Sequence, residues 1–174
     1  MHPPRYIPCT ILLVSGLLLT QCSKSPAVEV HTYSMGDRVE LGHLIYTVFE
    51  TRWLPQIGEG PAARIPENRF FLVRMSVGNT GGAEALVPNM TIEDDKGNSY
   101  PELTNGEGIP QFLGVLQAVR TAEPASGSAL FDAPPAHYKL RLSDENSQHT
   151  ALVDIPLTFH PESPDLPAPS AEAK

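Results

Sequence analysis

The side chains able to bind or react are few and scattered. The histidines are His2, His31, His43, His137, His149 and His160. No two fall at the short spacings that set a pair of imidazoles on one face of a strand or helix. A copper site assembled by the fold would draw on His31, His43 and His137, with Met35, Met75 and Met90 as soft ligands. The simpler reading is turn and edge histidines beside core methionines. Asp94-Asp95-Lys96-Gly97-Asn98 is acidic enough to suggest a calcium loop, but such a loop needs oxygens at alternate positions and a distal glutamate. Lys96 interrupts it, and the stretch reads as a turn. Ser126 and Ser128 flank Gly127 with no base nearby. There is no nucleophile elbow, phosphate-binding glycine loop or Cys–His pair. The expectation is a non-enzymatic protein with no catalytic residue, metal ligand set or cofactor.

One apolar stretch lies where a loop is expected: Ile109 to Val119, IPQFLGVLQAV. Phe112, Val115 or Leu116, and Val119 have helical spacing, and alternate burial in a strand fits nearly as well. One reading is a lid or extra strand over a sheet edge. The other is an exposed patch in which Phe112, Leu113, Val115 and Leu116 receive a partner or hydrophobic ligand.

The N-terminus, MHPPRYIPCTILLVSGLLLTQC, carries one cation, Arg5, then an apolar run from Ile11 to Leu19. That run suits a signal peptide and is shorter than the ~20 residues a membrane-spanning helix needs. Leu19-Thr20-Gln21-Cys22 resembles the lipobox of bacterial lipoproteins: Leu, a small or β-branched residue, Gly/Ala/Ser, then Cys. Gln21 departs from that pattern. The resemblance implies cleavage before Cys22 and acyl chains, palmitate among them, on its sulfur. Two or more such chains hold a protein firmly on a bilayer, whereas one holds it marginally. An ordinary secretory signal with an incidental cysteine, or an uncleaved anchor, is the alternative. Ser23 after the cysteine, by the same resemblance, favours the outer membrane of a double-membraned cell.

Composition bounds the elements that position these groups. The chain has 174 residues, room for one domain with appendages. Eighteen prolines and thirteen glycines make long helices improbable. The net charge is −8, and loss of residues 1–21 removes only Arg5, so the remainder is more acidic still. That argues against nucleic acid as a partner and against adhesion to anionic lipid by charge alone. The two cysteines are Cys9 and Cys22. The sandwich region therefore has no thiol for a disulfide, and its core must hold it unaided.

Short alternating segments follow one another with turn residues between them. Strands are expected near residues 38–41, 44–54, 69–79, 83–87, 90–94, 99–101, within 121–132, 138–142 and 151–159, and residues 28–33 could form an edge strand. Residues 102–119 are left irregular. In the segment 44–54, Leu44, Tyr46, Val48 and Glu50 share one face, and Ile45, Thr47, Phe49, Thr51 and Trp53 the other. In the segment 69–79, Phe71, Val73, Met75 and Val77 share a face, the pattern of a central strand. Pro156 marks the last strand as edge-like or bulged. Seven to nine short strands with turns every ten or so residues argue for an all-β sandwich or barrel. The expected organisation is a signal peptide at 1–21, a lipidated cysteine and tether or edge strand at 22–34, the sandwich at 35–159, and a Pro-rich disordered tail at 160–174.

Three stretches carry a family resemblance. Met35-Gly36-Asp37-Arg38-Val39-Glu40-Leu41-Gly42 leads into Leu44-Ile45-Tyr46-Thr47-Val48. Asn68 to Gly81 ends in Val77-Gly78-Asn79-Thr80-Gly81. Glu123 to Pro134 ends in Phe131-Asp132-Ala133-Pro134. Together they resemble the telokin-like, antigen-type immunoglobulin domain of unknown function found in bacterial exported lipoproteins, over roughly residues 35–159. That resemblance implies an all-β fold, an immunoglobulin-like antiparallel β-sandwich of seven to nine strands, together with an exported compartment and no catalytic residues. The function expected is a lipid-anchored cell-envelope protein with a non-catalytic interaction module, attached to the membrane through Cys22 and meeting an envelope protein or ligand. A periplasmic small-ligand or copper-binding protein is the alternative.

Overall fold

A computed structural model describes residues 30–114 and 117–157. Cys22 and the rest of residues 1–29, Val115, Leu116, and the proposed tail lie outside the described residues. Eleven strands are present: β1 (His31–Ser34), β2 (Val39–Leu41), β3 (Leu44–Leu54), β4 (Phe70–Asn79), β5 (Ala85–Leu86), β6 (Thr91–Asp94), β7 (Ser99–Pro101), β8 (Ala118–Val119), β9 (Ala125–Asp132), β10 (Tyr138–Ser143) and β11 (Thr150–Ile155). A single 3₁₀ turn, Gly60–Ala62, is the one helical element among the described residues. The strands form a five-stranded sheet, β1-β11-β10-β6-β7, a four-stranded sheet, β2-β3-β4-β9, and a two-stranded ribbon, β5-β8. The count exceeds the expected seven to nine because β5 and β8 are two-residue strands that pair with each other across the sequence. One pairing departs from the antiparallel expectation: β1 runs parallel to β11. After β1 the chain turns at Met35-Gly36-Asp37 and crosses to the other sheet, so β1 and β2 never form a hairpin.

Alternation sets the inner faces. In β4, Phe71, Val73, Met75 and Val77 are each at most 1% exposed, while Leu72, Arg74 and Ser76 face outward. In β3, Leu44, Tyr46 and Val48 point inward, and then the register shifts between Val48 and Glu50. Phe49 is the extra residue of a β-bulge. Beyond it the faces exchange. Thr51 and Trp53 oppose Val73 and Phe71 on the inner side, and Glu50 opposes Arg74 on the outer side. The expected grouping of Glu50 with Leu44, and of Trp53 with Ile45, is thereby corrected, because one inserted residue reverses a period of two. The last strand is corrected too. It ends at Ile155, one residue before Pro156, and lies between β1 and β10 rather than at an edge.

The sheets meet over one core. Trp53 stacks on Phe71 with centroids 4.2 Å apart, and Tyr138 from the opposite sheet lies 5.9 Å from Phe71. The Tyr138 hydroxyl donates to the Pro134 carbonyl at 2.5 Å, and the Tyr46 hydroxyl donates to the Ser143 carbonyl at 2.8 Å, across the sheets. Burial pushes both phenols above their ordinary range. Each therefore stays a neutral donor, as a buried tyrosine must to satisfy its oxygen.

A second, smaller cluster lies on the outer side of the four-stranded sheet. Ile57, Phe70 and Leu130 are buried there beneath Leu54, Leu72, Leu103, Ile109 and Phe112. Residues 102–113 make this cover and run along the free side of β9. Leu103 N–H donates to the Leu130 carbonyl, Leu113 N–H to the Ser128 carbonyl, and Ser128 N–H to the Gln111 carbonyl. This strap runs parallel to β9 at the Phe112–Ser128 bridge. Leu113 turns into the main core while Phe112 packs outward, as alternate residues of an added strand would. The strap demands a glycine beneath it: a Cβ on Gly127 would collide with the Gln111 carbonyl oxygen and crowd the Leu113 backbone. Gly127→Ala is expected to lift the strap, costing about 1–3 kcal/mol. A lowered urea midpoint, together with new protease cleavage within 102–113, would report it; an unchanged midpoint and cleavage pattern would refute it.

Candidate functional site

The bulge in β3 and the strap on β9 leave a cleft of about 180 Å³ on the outer face of the four-stranded sheet. Its floor is one row of the pleat: Glu50, Arg74 and Ser128 lie side by side on β3, β4 and β9. Leu72 and Arg52 occupy the next row, and Pro110 and Gln111 of the strap form the opposite wall. Arg74 is held from three sides. Its guanidinium lies 3.4 Å from a Glu50 carboxylate oxygen, donates to Gln111 Oε1 at 3.1 Å, and sits 5.8 Å from the centre of the Phe49 ring. Arg52 is exposed and makes no ion pair among the described residues. Ser128 is only 4% exposed and lines the cleft. Its backbone is bonded to the strap on both sides, and its hydroxyl has no hydrogen-bond partner among the described residues. Phe49, pushed out by the bulge, is 47% exposed at the rim.

A wider cleft, about 380 Å³, lies at one end of the sandwich between His43, Asn79, Glu84, Leu86 and Glu145. Its polar groups are already committed to the fold. The amide nitrogen of Asn79 donates to the carbonyls of Ala83 and Val119, and its Oδ1 accepts from Gly81 N–H, all at 2.8 Å. His43 Nδ1 is 2.6 Å from Glu145, and His149 Nδ1 is 2.8 Å from Asp144. Glu145 is held below the ordinary glutamate range by a bond to its own backbone N–H and by His43. For Asp144, burial pushes upward, but the bonds from His149 and Gln148 outweigh it and the carboxyl ends lower. The His43–Glu145 pair ties the β2–β3 turn to the β10–β11 turn, and the His149–Asp144 pair closes the latter on itself. Gly42 sits between them with φ +57°, and a Cβ there would meet the Glu145 carboxylate.

The histidines and methionines considered for copper are not brought together. His137 precedes β10 and His43 packs beyond its far end, so the strand separates them. Met75 and Met90 are buried in the core, away from the exposed His31 on the edge strand β1. His137 is spoken for at both nitrogens, 3.1 Å from Asp95 and 2.9 Å from Asp154. Its pKa is raised, first by the Asp95 bond and then by Asp154. Among the described residues no group of three or more His, Cys, Asp or Glu is arranged to hold a metal ion. Asp94 spends its oxygens on the turn itself, accepting from Lys96 N–H, Asn98 N–H and the Asn98 side chain. The side-chain bond from Asn98 leads the causes that lower its pKa.

Of the four apolar residues at 112–116, Leu113 is buried in the main core, so it presents no surface for a partner. Phe112 is half-buried, its ring packed against Gly106 and the second cluster. Val115 and Leu116 lie outside the described residues. Sequence reasoning passed over Arg52, Arg74 and Ser128 as cleft residues, because their meeting depends on a bulge and a strap that leave little local trace. It also passed over Glu102.

Glu102 is a carboxylate 7% exposed, just after β7. Its Oε2 lies 3.4 Å from Met90 N–H and its Oε1 has no hydrogen-bond partner. Burial raises its pKa to about 7, against a smaller opposing pull from the Met90 amide.

Two face-to-face sheets linked by loops define the class: a β-sandwich domain. No protein-family model matches the chain, and no curated protein matches it in sequence. Solved structures do match its fold. The yjhA protein from Bacillus subtilis is 15% identical with a TM-score of 0.56, covering 71% of this chain and 99% of that one. The secreted protein MPT63 from Mycobacterium tuberculosis is 12% identical, TM-score 0.51, covering 74% and 100%. The ycdA protein of Bacillus subtilis, taken to be a lipoprotein, is 11% identical, TM-score 0.52, covering 71% of this chain and 39% of that one. Likeness at this level of identity shows the fold.

Glu102 gives this region a pH signature. Because its folded pKa is raised, the protonated form stabilises the fold fully below the ordinary glutamate value, and that stability is lost as pH rises towards 7. The loss amounts to at most roughly 3 kcal/mol. Glu102→Gln is expected to flatten the decline in melting temperature between pH 5 and about 7.5, leaving the variant more stable than the parent above that window. Parallel melting curves for the two proteins across the range would refute the assignment.

Proposed function

We propose that this chain is a lipid-anchored protein of the cell envelope, whose sandwich is a non-catalytic binding module of the telokin-like immunoglobulin type. The observation that carries the reading is the lipobox-like Leu19-Thr20-Gln21-Cys22, with eight residues between Cys22 and His31, where β1 begins. A segment of that length spans at most about 30 Å, so an acylated Cys22 would keep the sandwich close to the bilayer. Support comes from the fold-mates, one a secreted protein and one taken to be a lipoprotein. Among the described residues no helix is long and apolar enough to cross a membrane. The binding role rests on the cleft beneath the strap, which gathers two arginines, a glutamate and an unpartnered hydroxyl without a nucleophile–base pair.

The anchor is tested by expressing the full chain in a bacterium fed an alkyne-bearing palmitate. Label on the parent and on Cys9→Ser, and none on Cys22→Ser with its leader retained, is the expected result. An unlabelled parent, or label that survives loss of Cys22, would overturn the reading.

A further inference from the structure

We propose that the cleft between the β3 bulge and the β9 strap binds a monocarboxylate bearing an apolar substituent, with Arg52 and the Ser128 hydroxyl as its principal contacts. The inference supplies a ligand class for the binding role proposed above.

The charge of the cleft selects the ligand. The chain is strongly acidic overall, yet this cleft holds two guanidiniums and one carboxylate, Arg52, Arg74 and Glu50. One positive charge is left over, and a monoanion matches it. A phosphate dianion would carry a second charge towards Glu50 without a cation to meet it. Arg74 is already engaged by Glu50, Gln111 and Phe49, so it is a positioned wall. Arg52 is the cation with donors to spare, and its planar fork suits a carboxylate.

Ser128 supplies the independent sign that something polar belongs in the cleft. The residue is 4% exposed, on the outer face of β9 between the exposed Ser126 and the covered Leu130. Its hydroxyl makes no hydrogen bond among the described residues and opens onto the cleft, where it is free to donate to a ligand. A carboxylate reaching Arg52 could accept from it. Leu72 and Pro110 give the wall an apolar side. The volume suits a ligand the size of one amino-acid residue rather than a nucleotide.

The test uses the full chain in detergent micelles, following the arginine side-chain Nε–H resonances by NMR. The probes are N-acetylleucine, its uncharged amide and inorganic phosphate. N-Acetylleucine is expected to bind saturably with a Kd of about 1 mM, the affinity such a small ligand can reach. The amide and phosphate should fail to saturate in the same range. Arg52→Gln should weaken binding at least about tenfold and Ser128→Ala about threefold, whereas Arg120→Gln, on the surface beside Glu84, should leave it unchanged. The urea midpoints of all three variants should equal the parent's. The proposal is overturned if N-acetylleucine does not saturate, if the amide binds as well, if phosphate binds more tightly, or if Arg52→Gln behaves like Arg120→Gln. Lipid on Cys22 does not enter this measurement, so the anchor and the cleft stand or fall separately.

Discussion

Two sheets with no disulfide between them must be held by what their inner faces touch. The described residues contain no cysteine, so everything depends on the seam where Trp53 and Phe71 of one sheet meet Tyr138 of the other. Aromatic side chains are well suited to that role. Each buries a large area, and offset or tilted rings gain a further ~0.5–1.5 kcal/mol per pair. The tyrosines add direction. Tyr46 reaches across to the Ser143 carbonyl and Tyr138 back to Pro134, so the sheets are fixed against sliding as well as pressed together. The β3 bulge belongs to the same arrangement. Were Phe49 paired in the ladder as an ordinary residue instead of bulged, Trp53 would point to solvent and the stack would lose a ring.

The same bulge links the seam to the outer surface. By reversing the faces of β3 it sends Trp53 inward and Glu50 and Arg52 outward, beside Arg74. The strap then closes the other side, supplying β9 with the hydrogen bonds its free edge lacks. Core and cleft thus share a cause: one residue's displacement completes the aromatic stack and gathers the charged row. At the far end, Asn79 serves as a three-bonded hub for the 79–85 loop. That accounts for an asparagine at the end of β4, where the backbone alone would leave carbonyls of the loop unpaired.

Much of this organisation was legible in the chain. β3 spans the residues that alternation assigns to it, Leu44–Leu54, and β4 buries the four side chains its period selects. The Asp94–Asn98 turn forms for the reasons its residues give, with Gly97 at φ +84°. What escaped depends on partners distant in sequence. A bulge looks like uninterrupted alternation until the opposing strand is known. Pro156 signals an edge, yet the chain ends the strand just before it and uses β1 to cover the outside. Residues 102–113 have no period of their own because the β9 edge gives them their extended shape. Glu102 looks like one more surface carboxylate in a polar stretch; only the fold closes Met90 over it. The cleft was illegible for the same reason, since Arg52, Ser128 and Gln111 come from three separate segments.

The parallel pairing of β1 with β11 has a mechanical consequence. Strands that run the same way place the start of one and the finish of the other at opposite ends of the pair. Tension applied between the chain ahead of His31 and the chain beyond Ile155 therefore runs along the strands, and the four paired positions from His31 to Ser34 resist it together. An antiparallel partner at this edge would put those two points at the same end, where bonds peel apart singly. The sandwich is thus built to bear a longitudinal load at the strand through which its N-terminal segment enters.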